Sequence, residues 1–200
     1  DGDHRLSREQ DIALLLRTHP EVRDRIARIV MMGGAVGTGN ATAAAEFNVW
    51  HDPEAAAIVL GDGLEVLMYG LEPFYRVSVT HADVERLRAA ADPAPRLAGA
   101  LLTHLIGIDA TEERVADDRV AIGDAGAVCA AIDASPLVTR RAPVEVALAP
   151  GATRGQTVVD LRTMEGADIS ATRPVPPATV VLDADPEPYR RLFLEALLGA

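Results

Sequence analysis

The stretch Ile29–Leu60, which reads IVMMGGAVGTGNATAAAEFNVWHDPEAAAIVL, decides the fold of this chain. It opens with a short apolar run, Ile29–Met32, which stops at two glycines and therefore predicts a buried strand. Asp52 followed by Pro53 pairs an N-cap with a proline at the first helical position, which predicts a helix over 53–60. Open α/β folds build ligand sites in this way, beyond the carboxyl ends of strands that end in a loop and a helix.

Three polar residues, Asn40, Glu46 and Asn48, lie between this strand and this helix. All three carry oxygens that form hydrogen bonds and none supplies a positive charge, so the set suits a neutral, hydroxyl-rich ligand better than a phosphate. Each asparagine alone is well explained as a turn residue. Their combination with Glu46 at this spacing favours a binding site instead.

The rest of the chain alternates amphipathic segments with short apolar runs, which predicts an α/β fold with a largely parallel sheet. Residues 1–7 are polar and are expected to be poorly ordered, with Ser7 as the cap of the first helix. The predicted helices span residues 8–17, 20–25, 80–91, 96–108, 126–132 and 186–198. The predicted strands span residues 64–68, 144–148, 156–161 and 179–182, and the middle two are expected to form a hairpin or a meander at one side.

Composition excludes several classes of function. The net charge of −11 disfavours binding to the nucleic-acid backbone, and no apolar run is long enough to span a bilayer. The chain has no lysine, which removes Schiff-base and P-loop lysine chemistry. Its single cysteine, Cys129, fits a reducing compartment, and no signal peptide opens the sequence, so a cytoplasmic location is expected.

Five motifs carry a resemblance to a known family. They are Met32-Gly33-Gly34, Gly39-Asn40, Glu46-Phe47-Asn48, Asp52-Pro53-Glu54-Ala55-Ala56 and Arg154-Gly155-Gln156-Thr157-Val158-Val159-Asp160. In this order they resemble the inosine/uridine-preferring nucleoside hydrolases. The resemblance spans most of the chain but covers only part of the family pattern. It implies an open, mostly parallel sheet flanked by helices that lacks the first N-terminal strand or strands. Residues 1–200 would then form a single, N-terminally incomplete domain.

The resemblance also implies an activity, which is hydrolysis of the N-glycosidic bond of ribonucleosides to ribose and free base. The family uses a calcium-bound water for this step, and Asp124 matches one of its calcium ligands. Asn40 and Glu46 match residues at the ribose 5′-hydroxyl, Asn48 matches a residue on the 2′-hydroxyl side, and Met32 lines the pocket under the sugar. The implied partners are a small-molecule nucleoside and further copies of the chain, as a dimer or tetramer.

Two departures from the family pattern affect the chemistry. The Asp-x-Asp-x-Gly-x-Asp-Asp run that supplies most calcium ligands and the general base does not occur here, and Gly123 stands where the family has a histidine. No catalytic residue is therefore assigned, and this chain alone is expected to be weakly active or inactive. Asp124 without the metal is simply a helix cap. Two interpretations stay open: a hydrolase domain, or a non-catalytic relative that binds ribosides or pairs with an intact subunit. A generic α/β interaction domain ranks third.

Overall fold

The computed structural model of the chain describes residues 8–109, 118–162 and 175–199. Its helices are α1 (Arg8–Thr18), α2 (Phe47–His51), α3 (Pro53–Gly61), α4 (Leu71–Arg76), α5 (His81–Arg88), α6 (Pro93–Asp109), α7 (Asp124–Ile132) and α8 (Pro186–Leu198), with a 3-10 helix at Pro20–Arg25. Its strands are β1 (Ile29–Met32), β2 (Val66–Tyr69), β3 (Ser78–Thr80), β4 (Arg119–Ala121), β5 (Leu137–Val146), β6 (Thr157–Val159) and β7 (Pro177–Ala184).

The chain divides into two compact units. The first comprises Asp1–Leu71 and Thr139–Leu182, and the second comprises Glu72–Val138 and Asp183–Ala200. The expectation of a single domain over 1–200 stays a prediction. None of the helices in the described ranges is long and apolar enough to cross a membrane.

A five-stranded sheet in the order β1-β2-β7-β5-β6 forms the centre of the first unit. β1 runs parallel to β2, with Ile29 opposite Val66, and β2 runs parallel to β7. β5 and β6 pair in antiparallel fashion at one side of the sheet, as the sequence predicted, with Val144 opposite Val159. The structure thus confirms an α/β fold with a mostly parallel sheet flanked by helices.

The core of the first unit lies between the sheet and its helices. Buried side chains come from the strands and from α2 and α3, and they include Met31, Met68, Val180, Val49 and Val59. α3 begins as predicted, since Oδ1 of Asp52 accepts the backbone N–H of Ala55 at 2.9 Å and Pro53 occupies the first turn. The cap satisfies the N–H of Ala55, and Pro53 has no N–H to satisfy.

The second unit contains a two-stranded antiparallel sheet, β3 with β4, together with α5–α8. Thr80 caps α5, in a capping box with Asp83. The carboxylate of Asp83 is only 2% exposed and also receives two hydrogen bonds from Arg190 of α8, at 2.7 and 2.8 Å. These hydrogen bonds, which we call the Asp83–Arg190 clasp, connect the C-terminal helix to α5. Cys129 is buried in α7.

Most predicted elements lie at or near their observed positions, and the differences have simple causes. α5 ends at Arg88 instead of continuing to residue 91, because residues 89–92 form the connection to Pro93, the first residue of α6. The sequence analysis missed α2, α4, β3 and β4, which have three to six residues each and are too short to show a period. The expectations for residues 1–7 and for the Ser7 cap lie outside the described residues.

Candidate functional site

The site predicted from the sequence is built at the end of β1. The backbone N–H of Gly33 still bonds to the carbonyl of Tyr69 at 3.1 Å, which continues the ladder between β1 and β2. The chain then leaves the sheet at Gly34, whose φ of +79° is unfavourable for residues that have a side chain. A Cβ at Gly34 would also lie 3.0 Å from Cγ2 of Thr157 and 3.1 Å from the sulfur of Met68. Only glycine fits at this turn.

Glu46 joins the end of β1 to α2. Its side chain is 2% exposed, and its Oε2 accepts the backbone N–H of Gly34 at 3.0 Å and that of Val49 at 3.1 Å. Oε1 accepts the N–H of Asn48 at 2.9 Å, so Glu46 is the N-cap of α2. Three backbone donors therefore surround this carboxylate, and they give it a structural role that the sequence analysis did not foresee. Its assignment to the ribose 5′-hydroxyl stays a prediction.

Asn40 closes the loop that precedes α2. Its Oδ1 accepts the backbone N–H of Phe47 at 2.8 Å. The carbonyl of Ala45 accepts the backbone N–H groups of Asn40 and of the next two residues, which folds the loop tightly. At Gly39 a Cβ would lie 2.2 Å from that same carbonyl oxygen, so close backbone approach requires the glycine before Asn40.

Asn48 contacts Met32 directly. Its Nδ2 lies 3.2 Å from both the carbonyl oxygen and the sulfur of Met32, the last residue of β1. The structure therefore brings together all four predicted substrate-binding residues, Met32, Asn40, Glu46 and Asn48, around the end of one strand. Their spacing in the sequence had indicated this grouping.

The hydrogen-bond network fixes which amide atoms of the two asparagines remain for a ligand. The N–H of Phe47 requires an acceptor, so Asn40 presents Oδ1 to the protein and its Nδ2 outward; the carbonyl of Met32 requires a donor, so Asn48 keeps its Oδ1. Within the described part of the chain no residue pairs with these two remaining atoms. A donor on one amide and an acceptor on the other suit the hydroxyl groups of a ribose, each of which can donate and accept.

The late motif, Arg154–Asp160, contacts α3, α2 and the loop after β1. Nη2 of Arg154 donates to both carboxylate oxygens of Glu54 in α3, at 2.8 and 2.9 Å. Gly155 has φ +84°, and a Cβ there would lie 2.9 Å from the Cα of Trp50 in α2. Thr157 binds the backbone of Ala35. The sequence analysis quoted this motif without giving its residues a role.

The end of the same motif carries a local ion pair. Arg162 contacts Asp160 through Nε at 2.8 Å and through Nη2 at 2.6 Å. The side-chain hydrogen bonds from Arg162, together with its backbone N–H, lower the pKa of Asp160 to about 2. Asp160 is thus a permanent anion at neutral pH, and it stabilises the turn after β6.

An aromatic patch lies on α2, the helix that carries Asn48. It consists of Phe47, Trp50 and His51, with the ring centroids of Phe47 and Trp50 6.3 Å apart and those of Phe47 and His51 6.0 Å apart. Phe47 is 50% exposed and Trp50 is 46% exposed. Trp50 and His51 both lie at the surface.

Asp124, the predicted calcium ligand, belongs to the second unit and is the first residue of α7. It is exposed, at the end of the helix where a carboxylate is favoured by the helix dipole. Gly123 precedes it with φ +59°, and a Cβ at that position would lie 3.3 Å from the ring of Phe74. A histidine at position 123 would therefore strain the backbone of this chain.

Calcium requires six to eight oxygen ligands, which come from carboxylates, carbonyl groups and waters. No group of three or more histidine, cysteine, aspartate or glutamate side chains that could hold a metal occurs in residues 8–109, 118–162 and 175–199. Asp124 with its neighbours does not make up such a set. The described residues thus do not fit a calcium ion without further ligands.

Comparison with known proteins agrees with this geometry. Residues 10–191 match the family described as inosine-uridine preferring nucleoside hydrolase. A pyrimidine-specific ribonucleoside hydrolase, RihA of Salmonella arizonae, is 37% identical over 189 residues, which are 94% of this chain and 58% of that protein. The chain therefore spans a little over half the length of the curated relatives that it matches.

Solved structures give the same result. A plant nucleoside hydrolase, PpNRh1, superimposes with a TM-score of 0.86 at 25% identity, over 98% of this chain and 61% of that one. A purine-preferring ribonucleoside hydrolase from Gardnerella vaginalis gives a TM-score of 0.81 at 26% identity, over 96% of this chain and 58% of that one. The motifs around β1, the fold and the match over nearly the whole sequence lead to one conclusion: the chain belongs to the inosine-uridine preferring nucleoside hydrolase family.

Proposed function

We propose that this chain provides the ribose-binding part of a ribonucleoside hydrolase, which cleaves the N-glycosidic bond to release ribose and a free base. The observation that carries the proposal is the arrangement of Asn40 and Asn48 at the end of β1. One amide presents a donor and the other an acceptor. Glu46 binds the backbone of Gly34, just after β1, and the backbone of Asn48, at the start of α2.

The chemistry of the bond explains why such groups matter. Cleavage of an N-glycosidic bond passes through a ribosyl cation with oxocarbenium character, in which the sugar ring flattens. Hydrogen bonds that fix the ribose hydroxyls hold the ring in the geometry from which the base departs. Asn40 and Asn48 supply these bonds in our proposal, and Met32 supports the apolar face of the sugar. Neither asparagine can act as a general base, so both bind and orient the substrate.

The calcium ion with Asp124 as a ligand stays a prediction that rests on the family, because the described residues do not make a calcium site. The location in a reducing, cytoplasmic compartment and the assembly into a dimer or tetramer also stay predictions. For the base, the proposal includes pyrimidine ribonucleosides first, on the basis of the pyrimidine-specific relative from Salmonella arizonae. Purine ribonucleosides are the alternative, because a structural relative prefers them.

The test uses an unusual feature of the composition. Asn40 and Asn48 are the only asparagines in the chain, and Gln10 and Gln156 are the only glutamines. A nitrogen-15 NMR spectrum therefore contains four pairs of side-chain amide signals, which the Asn40→Ala and Asn48→Ala variants assign. We would titrate the chain with uridine, inosine, ribose and uracil, and measure release of ribose with a reducing-sugar assay.

We expect uridine and ribose to shift the signals of both asparagines, with Gln10 of α1 unmoved as an internal control. Uracil alone should leave the asparagines unchanged, because the contacts are to the sugar. Each alanine variant should weaken binding by about tenfold, the loss of one or two hydrogen bonds. Binding without release of ribose would support the alternative, a non-catalytic relative that binds ribosides. Asparagine signals that do not shift with any ribose-containing ligand would disprove the proposal.

A further inference from the structure

Thr157 makes an unusual pair of hydrogen bonds with one residue of the site loop. Its hydroxyl donates to the carbonyl of Ala35 at 2.7 Å and accepts the N–H of Ala35 at 2.9 Å. Both residues are buried, with exposures of 4% for Thr157 and 3% for Ala35. One side-chain oxygen thus satisfies both backbone groups of a residue that no strand partner reaches, just after β1 ends.

A short chain of contacts leads from this hydroxyl to the sugar-binding amide. Ala35 follows Gly34, whose N–H donates to Oε2 of Glu46 at 3.0 Å. Glu46 accepts the N–H of Asn48 at 2.9 Å and so sets the start of α2. Every link in this path is either the peptide bond between Gly34 and Ala35 or a hydrogen bond to backbone, so a displacement of Ala35 changes the position of Asn48 and not only the packing around it.

Only one of the two substituents of the Thr157 Cβ forms hydrogen bonds with the loop. The hydroxyl holds Ala35, whereas the methyl group, Cγ2, lies 3.0 Å from the point where a Cβ on Gly34 would stand. A hydroxyl is therefore needed for the hydrogen bonds, and the methyl only fills space. Valine and serine each remove one of these groups and keep the other.

We propose that Thr157 is a positioning residue, which orients the Asn48 amide toward the ribose by fixing the backbone of Ala35. The inference rests on the proposed function for its ligand, but its geometric content, the link from Thr157 to Asn48, stands independently. Thr157 itself does not touch the substrate in this view. Its position, 122 residues away from Ala35 in the sequence, makes the late motif part of the ribose site.

The experiment compares Thr157→Val, which removes the hydroxyl, with Thr157→Ser, which keeps it. Both are studied as the full 200-residue chain. Two quantities are measured in buffer, where circular dichroism shows each variant fully folded: the side-chain amide signals of Asn48 without ligand, and the affinity for uridine. A purely structural residue would alter the free energy of unfolding but leave both quantities of the folded protein unchanged.

We expect Thr157→Val to shift the Asn48 signals and to weaken uridine binding by about tenfold, since small misplacements of a binding group are costly. Thr157→Ser should restore both to wild-type values, and the signals of Gln10 should stay constant in all three proteins. Asn48 signals that coincide in the wild type and Thr157→Val would overturn the inference. So would an equal loss of affinity in the valine and serine variants.

The two proposals fail in different ways. If the wild type binds no riboside, the proposed function is wrong, and the positioning role is then judged from the ligand-free Asn48 signals alone. If Thr157→Val does not fold, Thr157→Ala replaces it, because it removes the hydroxyl without placing a methyl group against the N–H of Ala35. The same shift of the Asn48 signals supports the inference, and its absence overturns it.

Discussion

Oε2 of Glu46 accepts a hydrogen bond from the backbone N–H of Gly34 at 3.0 Å, across twelve positions of the sequence. This bond closes the glycine loop onto the helix that follows it, and it lies beneath the two asparagines. A carboxylate in this place therefore shapes the site even before any ligand binds.

Replacing the carboxylate by an amide should loosen the loop. In Glu46→Gln one oxygen becomes an NH₂ group that faces backbone N–H donors, so two or three hydrogen bonds to a charged group are lost or inverted. We expect the free energy of unfolding to fall by about 3 kcal/mol, measured by urea titration. The control is Glu54→Gln, which affects an exposed pair with Arg154 and should cost less than about 1 kcal/mol. Similar costs for the two variants would contradict the buried role of Glu46.

Adding a methyl group at Gly34 should be costly for two reasons. Its φ of +79° is unfavourable for alanine, and the new Cβ would stand 3.0 Å from Cγ2 of Thr157 and 3.1 Å from the sulfur of Met68. We expect Gly34→Ala to lower the free energy of unfolding by about 3 kcal/mol.

The matched control is Gly61→Ala at the end of α3, where a Cβ meets no atom within 4 Å. This variant should raise the free energy of unfolding by about 0.5 kcal/mol, because alanine restricts the unfolded chain. A Gly34→Ala protein as stable as Gly61→Ala would show that the turn tolerates a side chain.

The contact between the late motif and α2 can be isolated with a pair of glycines. Gly155 and Gly63 both have positive φ, +84° and +92°, but only at Gly155 would a Cβ meet backbone, 2.9 Å from the Cα of Trp50. Both alanine variants should pay the conformational cost, and Gly155→Ala should lose about 1–2 kcal/mol more in urea unfolding.

Trp50 offers a direct reading of the same contact because it is the only tryptophan in the chain. Its fluorescence emission should change in folded Gly155→Ala and remain as in the wild type in Gly63→Ala. Identical spectra for all three proteins would mean that the loop between β5 and β6 is not in close contact with α2.

The clasp between Asp83 and Arg190 predicts a loss of stability in acid. Burial alone raises the pKa of Asp83, but the hydrogen bonds from Arg190 and Thr80 outweigh it and bring the pKa to about 2. The unfolded value is about 3.9, so the folded state binds its proton more weakly than the unfolded state does. The stabilisation is therefore complete above about pH 5 and is lost as the pH falls from about 4 to about 2, a change of about 2 kcal/mol.

Urea titrations between pH 7 and pH 2 check this prediction. Asp83→Asn should be less stable than the wild type at pH 7, and its stability should fall less steeply below pH 4, because the titrating group is gone. The control is Glu85→Gln on the same helix, where the exposed carboxylate pairs with Arg88 at 3.0 Å and the pH profile should follow the wild type. Parallel profiles for Asp83→Asn and the wild type would exclude Asp83 as the source.

The short, well-marked elements were predictable because their signals are local. The apolar run before Gly33 predicts β1, the Asp52-Pro53 pair predicts α3, and the pattern after Asp185 predicts α8 with the bounds that the structure has. Caps, prolines and runs of apolar residues act within a few positions of the chain, so their effect can be read without the fold. The three-residue strands β3 and β4 lack such signals, because each is stable only through its pairing with the other.

The sequence by itself determined the α/β fold, the family and the grouping of Asn40, Glu46 and Asn48 beyond β1, because motif order and spacing are properties of the chain. The tertiary structure decided what each of these side chains does. Whether the carboxylate of Glu46 meets backbone donors depends on Gly34, and whether the Thr157 hydroxyl matters to the loop depends on Ala35, 122 residues away. Hydrogen-bond partners at such separations exist only after the sheet has brought them together.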